Sequence, residues 1–518
     1  MHQAFSSFGG LEGMEISCVL VFFFFFLVPL FIFLFYHQKP AKKPTPGELQ
    51  AYPLLGILPQ LLKNRHRVLE WTTEALIKNP SHTIVFQSPG QDSGIQTANP
   101  LNIERILKTN FKNYPKGKRT IEMLEDFMGH GIFNSDGEHW NLQRKAASFE
   151  FNTRSLRNFV VDTVQQEVVQ RLLPFLKKAS KKEETMDFQD VLERFAFDNI
   201  CKVAFNEDPA CLAEEGFGNT TSSRFMKAFG EAQSNITERF LDALRITWRI
   251  KRLLNIGSER RLKESISIVN DYAINIIRSR KERPLNHSSD LLSRFASNED
   301  NTEEYLRDVV VSFLTAGRET TSSALTWFFW LLSARPDVEK KILDEVGSIR
   351  ALNQKTSETF SFDELREMHY LHAAISESMR LYPPVPLDTQ SCKEDDAMPD
   401  GTLVHKGWFV TYNAYALGRL EDIWGKDCND YKPERWLENG VFQPENPFKY
   451  PVFHAGPRMC LGKEMAYVQM KSIAACVLEN FEFNIVGRNE TPGYVPSLTL
   501  RMKGGLPVQV RERVDAIN

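Results

Sequence analysis

The sequence has no CxxC pair and no Cys/His spacing suited to zinc, and its seven cysteines lie far apart at 18, 201, 211, 392, 428, 460 and 476. An odd number of dispersed thiols excludes a disulfide framework and suits a reducing compartment. Nor is there an excess of either charge: 63 Lys and Arg stand against 66 Asp and Glu. Without a basic surplus to release counterions, no nucleic acid is expected as a partner. Residues 47–518 lack Gly/Ser linkers, charge blocks and repeats, so one large domain is expected where length alone would suggest about three. Gly-rich flavin and nicotinamide fingerprints are lacking as well. A composition of 42% hydrophobic and 25% charged residues excludes disorder.

What is present begins with an uncharged run from Ile16 to Tyr36 that includes five consecutive Phe at 22–26. It is long enough for a helix to cross about 30 Å of hydrocarbon. A cleavable signal peptide would want a basic flank before a shorter core, whereas Glu12 and Glu15 precede this run and no small-residue cleavage site follows. The expectation is a transmembrane anchor at 16–36. Lys39, Lys42 and Lys43 follow it and place the remainder of the chain in the cytosol by the positive-inside tendency. Pro40, Pro44, Pro46 and Gly47 make 37–53 a basic, proline-rich hinge before a domain at 54–518. Sequons at Asn219, Asn235, Asn286 and Asn489 should then stay without glycans.

In the domain, apolar residues recur at three and four through most of 60–380, as in Leu306, Val309, Val310, Phe313, Gly317, Thr321, Ala324 and Phe328. That pattern predicts one helix from about Glu303 to Arg335, roughly 50 Å long at the usual rise. Short β patterns stand near His82–Gln87, Gly401–Thr411 and Pro507–Val510, without a βαβ rhythm. The fold class is mainly α with small β-sheets.

Residues 453–462 read FHAGPRMCLG and lead into a helical pattern at Lys463–Leu478. Cys460 thus stands at a helix entrance, where free N–H groups and the positive dipole end favour a thiolate. Gly456 and Gly462 let backbone approach a flat ligand, and Arg458 can reach a carboxylate on its rim. A haem iron bound through sulfur would fit. A phosphate-binding loop does not, because Gly456 and Gly462 enclose five residues instead of four and Glu464 replaces the Ser/Thr required after Lys463. A lone buried structural Cys is the plainer alternative.

Phe453, Gly456, Arg458, Cys460 and Gly462 in FxxGxRxCxG resemble the haem-ligand loop of the cytochrome P-450 superfamily. Three further motifs agree in order: Ala316-Gly317-Arg318-Glu319-Thr320-Thr321 resembles the oxygen-activation segment of the long central helix, Glu377-x-x-Arg380 the ion pair of a following helix, and Pro433-Glu434-Arg435-Trp436 the loop that adds its third member. The resemblance spans essentially the whole chain, anchor included. It implies haem b (iron protoporphyrin IX) with Cys460 as iron ligand, and Trp140 and Arg144 sharing the propionates with Arg458. It also implies catalytic Thr320 and Glu319, a structural triad of Glu377, Arg380 and Arg435, and electrons from a membrane-bound NADPH-cytochrome P-450 reductase at the endoplasmic reticulum. Gly317 beside four hydroxyl residues, Thr320 to Ser323, also invites a local opening of the helix. Two departures stand out: Gln390 where many relatives carry a basic propionate ligand, and Trp436 where they carry Phe.

The stretches around Thr320 and Cys460 further resemble the plant fatty-acid omega-hydroxylase clan, family ninety-four. That implies attack at or near the end of an aliphatic lipid, in a tunnel walled by Phe111, Leu124, Phe127, Met128, Phe133, Phe313, Val385 to Leu387 and Pro496 to Leu498. Lys112, Lys116, Lys118 or Arg119 could hold a substrate carboxylate, and Lys463, Lys471 and Arg144 could dock the reductase. Terminal oxidation of jasmonoyl-isoleucine or of a sterol side chain stays open, as do a lipid hydroperoxide isomerase and a non-catalytic haem protein.

Overall fold

The computed structural model describes residues 56–86, 93–149, 151, 158, 160–213, 220–242, 246–282, 290–298, 300–352, 357–487 and 491–513, with isolated positions between 26 and 52. The expected anchor at 16–36 and hinge at 37–53 therefore lie almost wholly outside the described residues. Among those described, no helix is long and apolar enough to cross a membrane.

Helices dominate, as the periodicity predicts. Those that position the site are α1 (Val68–Lys78), α2 (Gly117–Met128), α3 (Gly137–Ser148), α4 (Phe188–Phe205), α5 (Thr221–Leu241) and α6 (Gly257–Glu282), then α7, the long central helix at 303–332, α8 (His369–Leu381) and α9 (Lys463–Asn480). Thr302 caps the start of α7 by accepting from Tyr305 N. The helix ends at Leu332, three residues short of the expected limit. It is also not uniform: a π-helical turn at Thr315–Glu319 separates the α-helical stretches Glu303–Leu314 and Thr320–Leu332. This is the local opening that the hydroxyl run invites, and the Thr320 hydroxyl donates to Ala316 O across it at 2.6 Å.

Gly317, inside this turn, also serves packing. A Cβ there would come within 2.5 Å of the Ile200 side chain on α4, so glycine is what lets the central helix press against its neighbour. Buried apolar side chains of α4, α7, α8 and α9 form one large core that includes Phe188, Trp327, Phe328, Ile375 and Val477. A second gathers Phe127, Phe197, Phe225, Phe229 and Phe313 where α2, α4, α5 and α7 meet. Most described Phe serve these cores.

The strands are β1 (Thr83–Phe86), β2 (Gly94–Thr97), β3 (Met186–Asp187), β4 (Leu387–Ser391), β5 (Phe409–Asn413), β6 (Phe481–Ile485), β7 (Tyr494–Val495), β8 (Arg501–Met502) and β9 (Pro507–Glu512), with minor two-residue pairs elsewhere. β1, β2, β5 and β4 form a four-stranded sheet in that order. Among the described strands only β2 and β5 pair in parallel, Gly94 opposite Phe409. Their wide separation in sequence is why no βαβ rhythm announces them. β6, β9 and β3 make a second sheet, and β7 pairs with β8.

Candidate functional site

The Cys460 loop runs from Phe453 to Gly462, between a 3₁₀ turn at Pro451–Phe453 and α9. Its backbone closes on itself: the Cys460 N–H donates to Phe453 O at 2.9 Å and the Met459 N–H to Gly456 O at 3.1 Å. Gly456 has φ +64°, and a Cβ there would lie 2.0 Å from Leu107 O. Glycine at 456 thus serves close packing of the loop against the protein itself. Gly462 is the opposite case. A Cβ would meet only Phe151 at 3.5 Å and the Cys460 sulfur at 3.9 Å, both ordinary contacts. Among the described residues no contact requires glycine at 462, which leaves space beside the Cys460 sulfur.

Cys460 is exposed, unlike Cys201, Cys211, Cys392, Cys428 and Cys476, which are buried. The surrounding protein mass raises its thiol above the ordinary range, while the Gly462 N–H, Arg144 and Lys463 pull it down. The helix-entrance N–H acts in the direction expected, and a metal cation coordinated by the sulfur would deprotonate it outright.

Around the loop the structure gathers Arg458, Trp140 and Arg144. The Arg458 guanidinium stacks 4.5 Å from the Trp140 ring and donates through Nη2 to Asp136 Oδ1 at 2.7 Å and Ser135 O at 2.9 Å. Arg144, one turn along α3 from Trp140, donates to Met459 O. Arg458 Nε is buried without a hydrogen-bond partner among the described residues. A buried charged donor left unmatched is costly, so this atom calls for an acceptor such as a carboxylate. An accessible sulfur, a glycine beside it with room to spare and an unmatched guanidinium N–H fit a planar, carboxylate-bearing, iron-centred group. Gln390 does not replace the missing base: it is buried and donates to Asp388 Oδ2 at 2.9 Å.

Glu377, Arg380 and Arg435 meet as a buried unit behind the loop. Arg380 gives two 2.8 Å bonds to the Glu377 carboxylate, Arg435 Nε adds a third at 3.3 Å, and the Lys432 N–H a fourth at 3.0 Å. The fifth donor is Trp436 Nε1 at 2.9 Å. Trp436 stands where relatives carry Phe, and its indole N–H completes the acceptor sites of a buried carboxylate. The unit reaches the Cys loop through α8 and α9: Ser376 Oγ is 2.9 Å from the Tyr467 hydroxyl, and the Tyr467 ring packs 5.1 Å from Phe453.

On the central helix, the Thr320 hydroxyl donates to Ala316 O and not to the neighbouring Glu319. Its buried carboxylate faces Arg318, whose Nη2 donates to Glu193 Oε2 on α4 at 2.7 Å, and Arg501 Nε donates to Glu193 Oε1 at 2.8 Å. Burial, with Glu193 near, raises Glu319 above the usual carboxylate range despite Arg318. Glu319 directly precedes Thr320 on the helix, with its carboxylate engaged by Arg318.

A cavity of about 420 Å³ lies among α1, α2, the first sheet and the segment 494–500. Leu124, Phe133, Leu387 and Leu498 line it, together with Pro386, Pro496, Met123, Phe409 and Trp248. Five of the expected wall residues do not. Phe127 and Phe313 are core residues, Phe127 packing on Phe229 at 5.2 Å. Phe111 instead sits 5.9 Å from the Trp140 ring, and Val385 is 37% exposed and outside the lining. Met128 is also in that core. Of the four suggested carboxylate holders, Lys116 and Arg119 line the cavity, and Lys112 and Lys118 do not. Lys116 forms an ion pair with Asp388, and Arg119 stacks 4.5 Å from Phe409. Lys471 cannot dock a partner, because it is buried and donates to Leu365 O.

A cytochrome P450 family model matches residues 46–504. Cytochrome P450 CYP94D108 of Paris polyphylla is 49% identical over 478 residues, 92% of this chain and 93% of that protein. Cytochrome P450 94A1 of Vicia sativa is 44% identical over 475 residues, 90% of each. Cytochrome P450 94B1 of Arabidopsis thaliana is 46% identical over 485 residues, 91% of this chain and 93% of that protein. With a sulfur loop, buried triad and opened central helix arranged as above, the chain belongs to the cytochrome P450 family, haem-dependent monooxygenases, and is similar within it to members bearing the number 94.

Proposed function

We propose that this protein hydroxylates the terminal or near-terminal carbon of a fatty acid, anchored in the endoplasmic reticulum membrane with its catalytic domain cytosolic. NADPH-cytochrome P-450 reductase supplies the electrons. The balance is R–H + O2 + NADPH + H⁺ giving R–OH + H2O + NADP⁺. The observation that carries the reading is the cavity: a volume inside the range of about 300–1,000 Å³ usual for ligand pockets, and walls in which apolar side chains, Leu and Phe foremost, outnumber the seven charged ones. An aliphatic chain loses little there and gains about 0.8 kcal/mol for each buried CH2.

Haem would be held by Cys460 together with Arg458, Arg144 and Trp140, and would supply the oxygen-activating chemistry needed to functionalise an unactivated C–H. The chain's own residues do the rest. Leu124, Phe133, Leu387 and Leu498 orient the chain end, and selectivity for one carbon follows from restricting which C–H is presented. The Thr320 hydroxyl donates to Ala316 O and keeps lone pairs free to take a further donor in the opened turn. Glu319, raised by burial, holds the proton that Thr320 passes on.

The reading is tested with purified protein, reductase and NADPH on fatty acids of different lengths, with products located by mass spectrometry. A terminal or near-terminal alcohol supports it; absence of any such product with all of them rejects it. Jasmonoyl-isoleucine and a sterol in the same assay distinguish the alternative oxygenase substrates. A lipid hydroperoxide converted without NADPH would mark the isomerase class. For topology, Asn235 is buried, so the informative sequons for glycan analysis are Asn219, Asn286 and Asn489.

A further inference from the structure

One carboxylate joins the cavity wall to the Cys460 loop in a way that no motif reveals. Asp388, on β4, lines the cavity. Its Oδ1 takes Lys116 Nζ and, at 2.9 Å, the Thr389 N–H; its Oδ2 takes Gln390 Nε2 at 2.9 Å and His454 Nε2 at 3.2 Å. Four donors saturate it. A carboxylate offers only acceptors, so Nε2 of His454 carries the proton it donates. The other ring nitrogen, Nδ1, lies 2.9 Å from the Ala455 amide.

His454 occupies a left-handed backbone conformation, φ 61°, which a non-glycine residue adopts only when its surroundings hold it. It follows Phe453 directly, and Phe453 O is the acceptor for the Cys460 N–H. Fixing the His454 ring therefore fixes the peptide that sets the Cys460 backbone.

We propose that Asp388 and His454 are positioning residues: Asp388 holds His454, His454 holds the Phe453 carbonyl, and the Phe453 carbonyl holds Cys460, tying the sulfur's placement to the wall of the substrate cavity. This rests on Cys460 being the iron ligand, and the experiment separates the two claims. Holoenzyme carrying Asp388→Asn, His454→Asn or both is reduced under carbon monoxide, and the rate at which the shifted thiolate-type band gives way to the unshifted form is followed. Asparagine tolerates positive φ, so His454→Asn removes the contact without adding backbone strain.

Losing one charge-assisted hydrogen bond should speed that conversion about tenfold in either single variant. The double variant should be no faster than the singles, because one chain of contacts is broken in each. The midpoint of global unfolding should move far less than the conversion rate. Hydrogen exchange of the 453–462 peptides, faster in His454→Asn than in the wild type, carries the test if Asp388→Asn does not accumulate. A wild type without the shifted band defeats the ligand reading itself. A wild type with it, and variants that convert at the same rate or additively, overturns the positioning proposal.

Discussion

The two glycines of the Cys460 loop offer a discriminating pair of substitutions. Gly456→Ala asks an L-residue to hold φ +64° and places its Cβ 2.0 Å from Leu107 O, where real contacts stay beyond 3.0 Å. The left-handed conformation costs about 1–2 kcal/mol. Opening the clash means moving backbone by about 1 Å, at about 1–3 kcal/mol for overpacking. The sum, about 2–5 kcal/mol, is a large part of a typical total stability of about 5–15 kcal/mol. A 1 Å displacement of the loop would also lower turnover about a hundredfold. Gly462→Ala adds a Cβ with room for it at 3.5 Å or more, so stability should stay within about 0.5 kcal/mol of the wild type. The added methyl lies 3.9 Å from the Cys460 sulfur, in space assigned here to haem, so haem should leave about tenfold faster. Chemical denaturation measures the first quantity and haem transfer to an acceptor globin the second. A Gly462→Ala protein that keeps haem as the wild type does, or a Gly456→Ala protein of unchanged stability, would refute the assignment of the two roles.

Three other outcomes follow from the same geometry. Glu377→Ala leaves the Arg380 and Arg435 guanidinia without their buried counter-ion, and a loss of about 3–5 kcal/mol should appear as a collapse in folded haem-loaded protein; normal yield would count against the triad's structural role. Thr320→Ala removes one hydroxyl bond to Ala316 O, so stability should fall by no more than about 1.5 kcal/mol. Peroxide released per NADPH should nevertheless rise sharply, since positioned proton donors contribute about 10²–10⁴ in rate, and unchanged coupling would exclude Thr320 from proton handling. His372, stacked 3.9 Å from both Phe442 and Tyr467, is pushed down to about 2 by burial and by Lys471 and Lys463. The unfolded chain binds a proton there below about pH 6.5 and the folded chain does not, so stability is present above that pH and declines below it by about 1.4 kcal/mol per unit. Denaturation at successive pH values should show a shallower acid decline in His372→Phe; identical slopes would refute the burial argument.

The parts of the fold that were legible in the sequence were those with a local signature. The apolar repeat marked the central helix, and the hydroxyl run after Gly317 marked its opening at Thr315–Glu319. The sheet was half legible: β1, β5 and β9 had local β patterns, but β2 pairs with β5 across some three hundred residues, and β4 is polar enough to read as a loop. Site residues divided in the same way. Arg458, Trp140 and Arg144 converge because each motif fixes its own short segment. Phe127 and Phe313 were misplaced because an apolar residue on an amphipathic helix reads alike whether it faces a core or a cavity. The Asp388 and His454 contact was invisible, since nothing local pairs residues so far apart, and Trp436 gave no sign that its N–H would be used.

The central claim is that Cys460 binds haem iron through its sulfur. The most direct measurement is the absorption difference spectrum of the purified, reduced protein with and without carbon monoxide, beside Cys460→Ser. The account predicts the strongly shifted Soret band of a thiolate-ligated ferrous carbonyl in the wild type and its disappearance in the variant. A wild type that binds haem without that band, or a Cys460→Ser protein that retains it, would contradict the account.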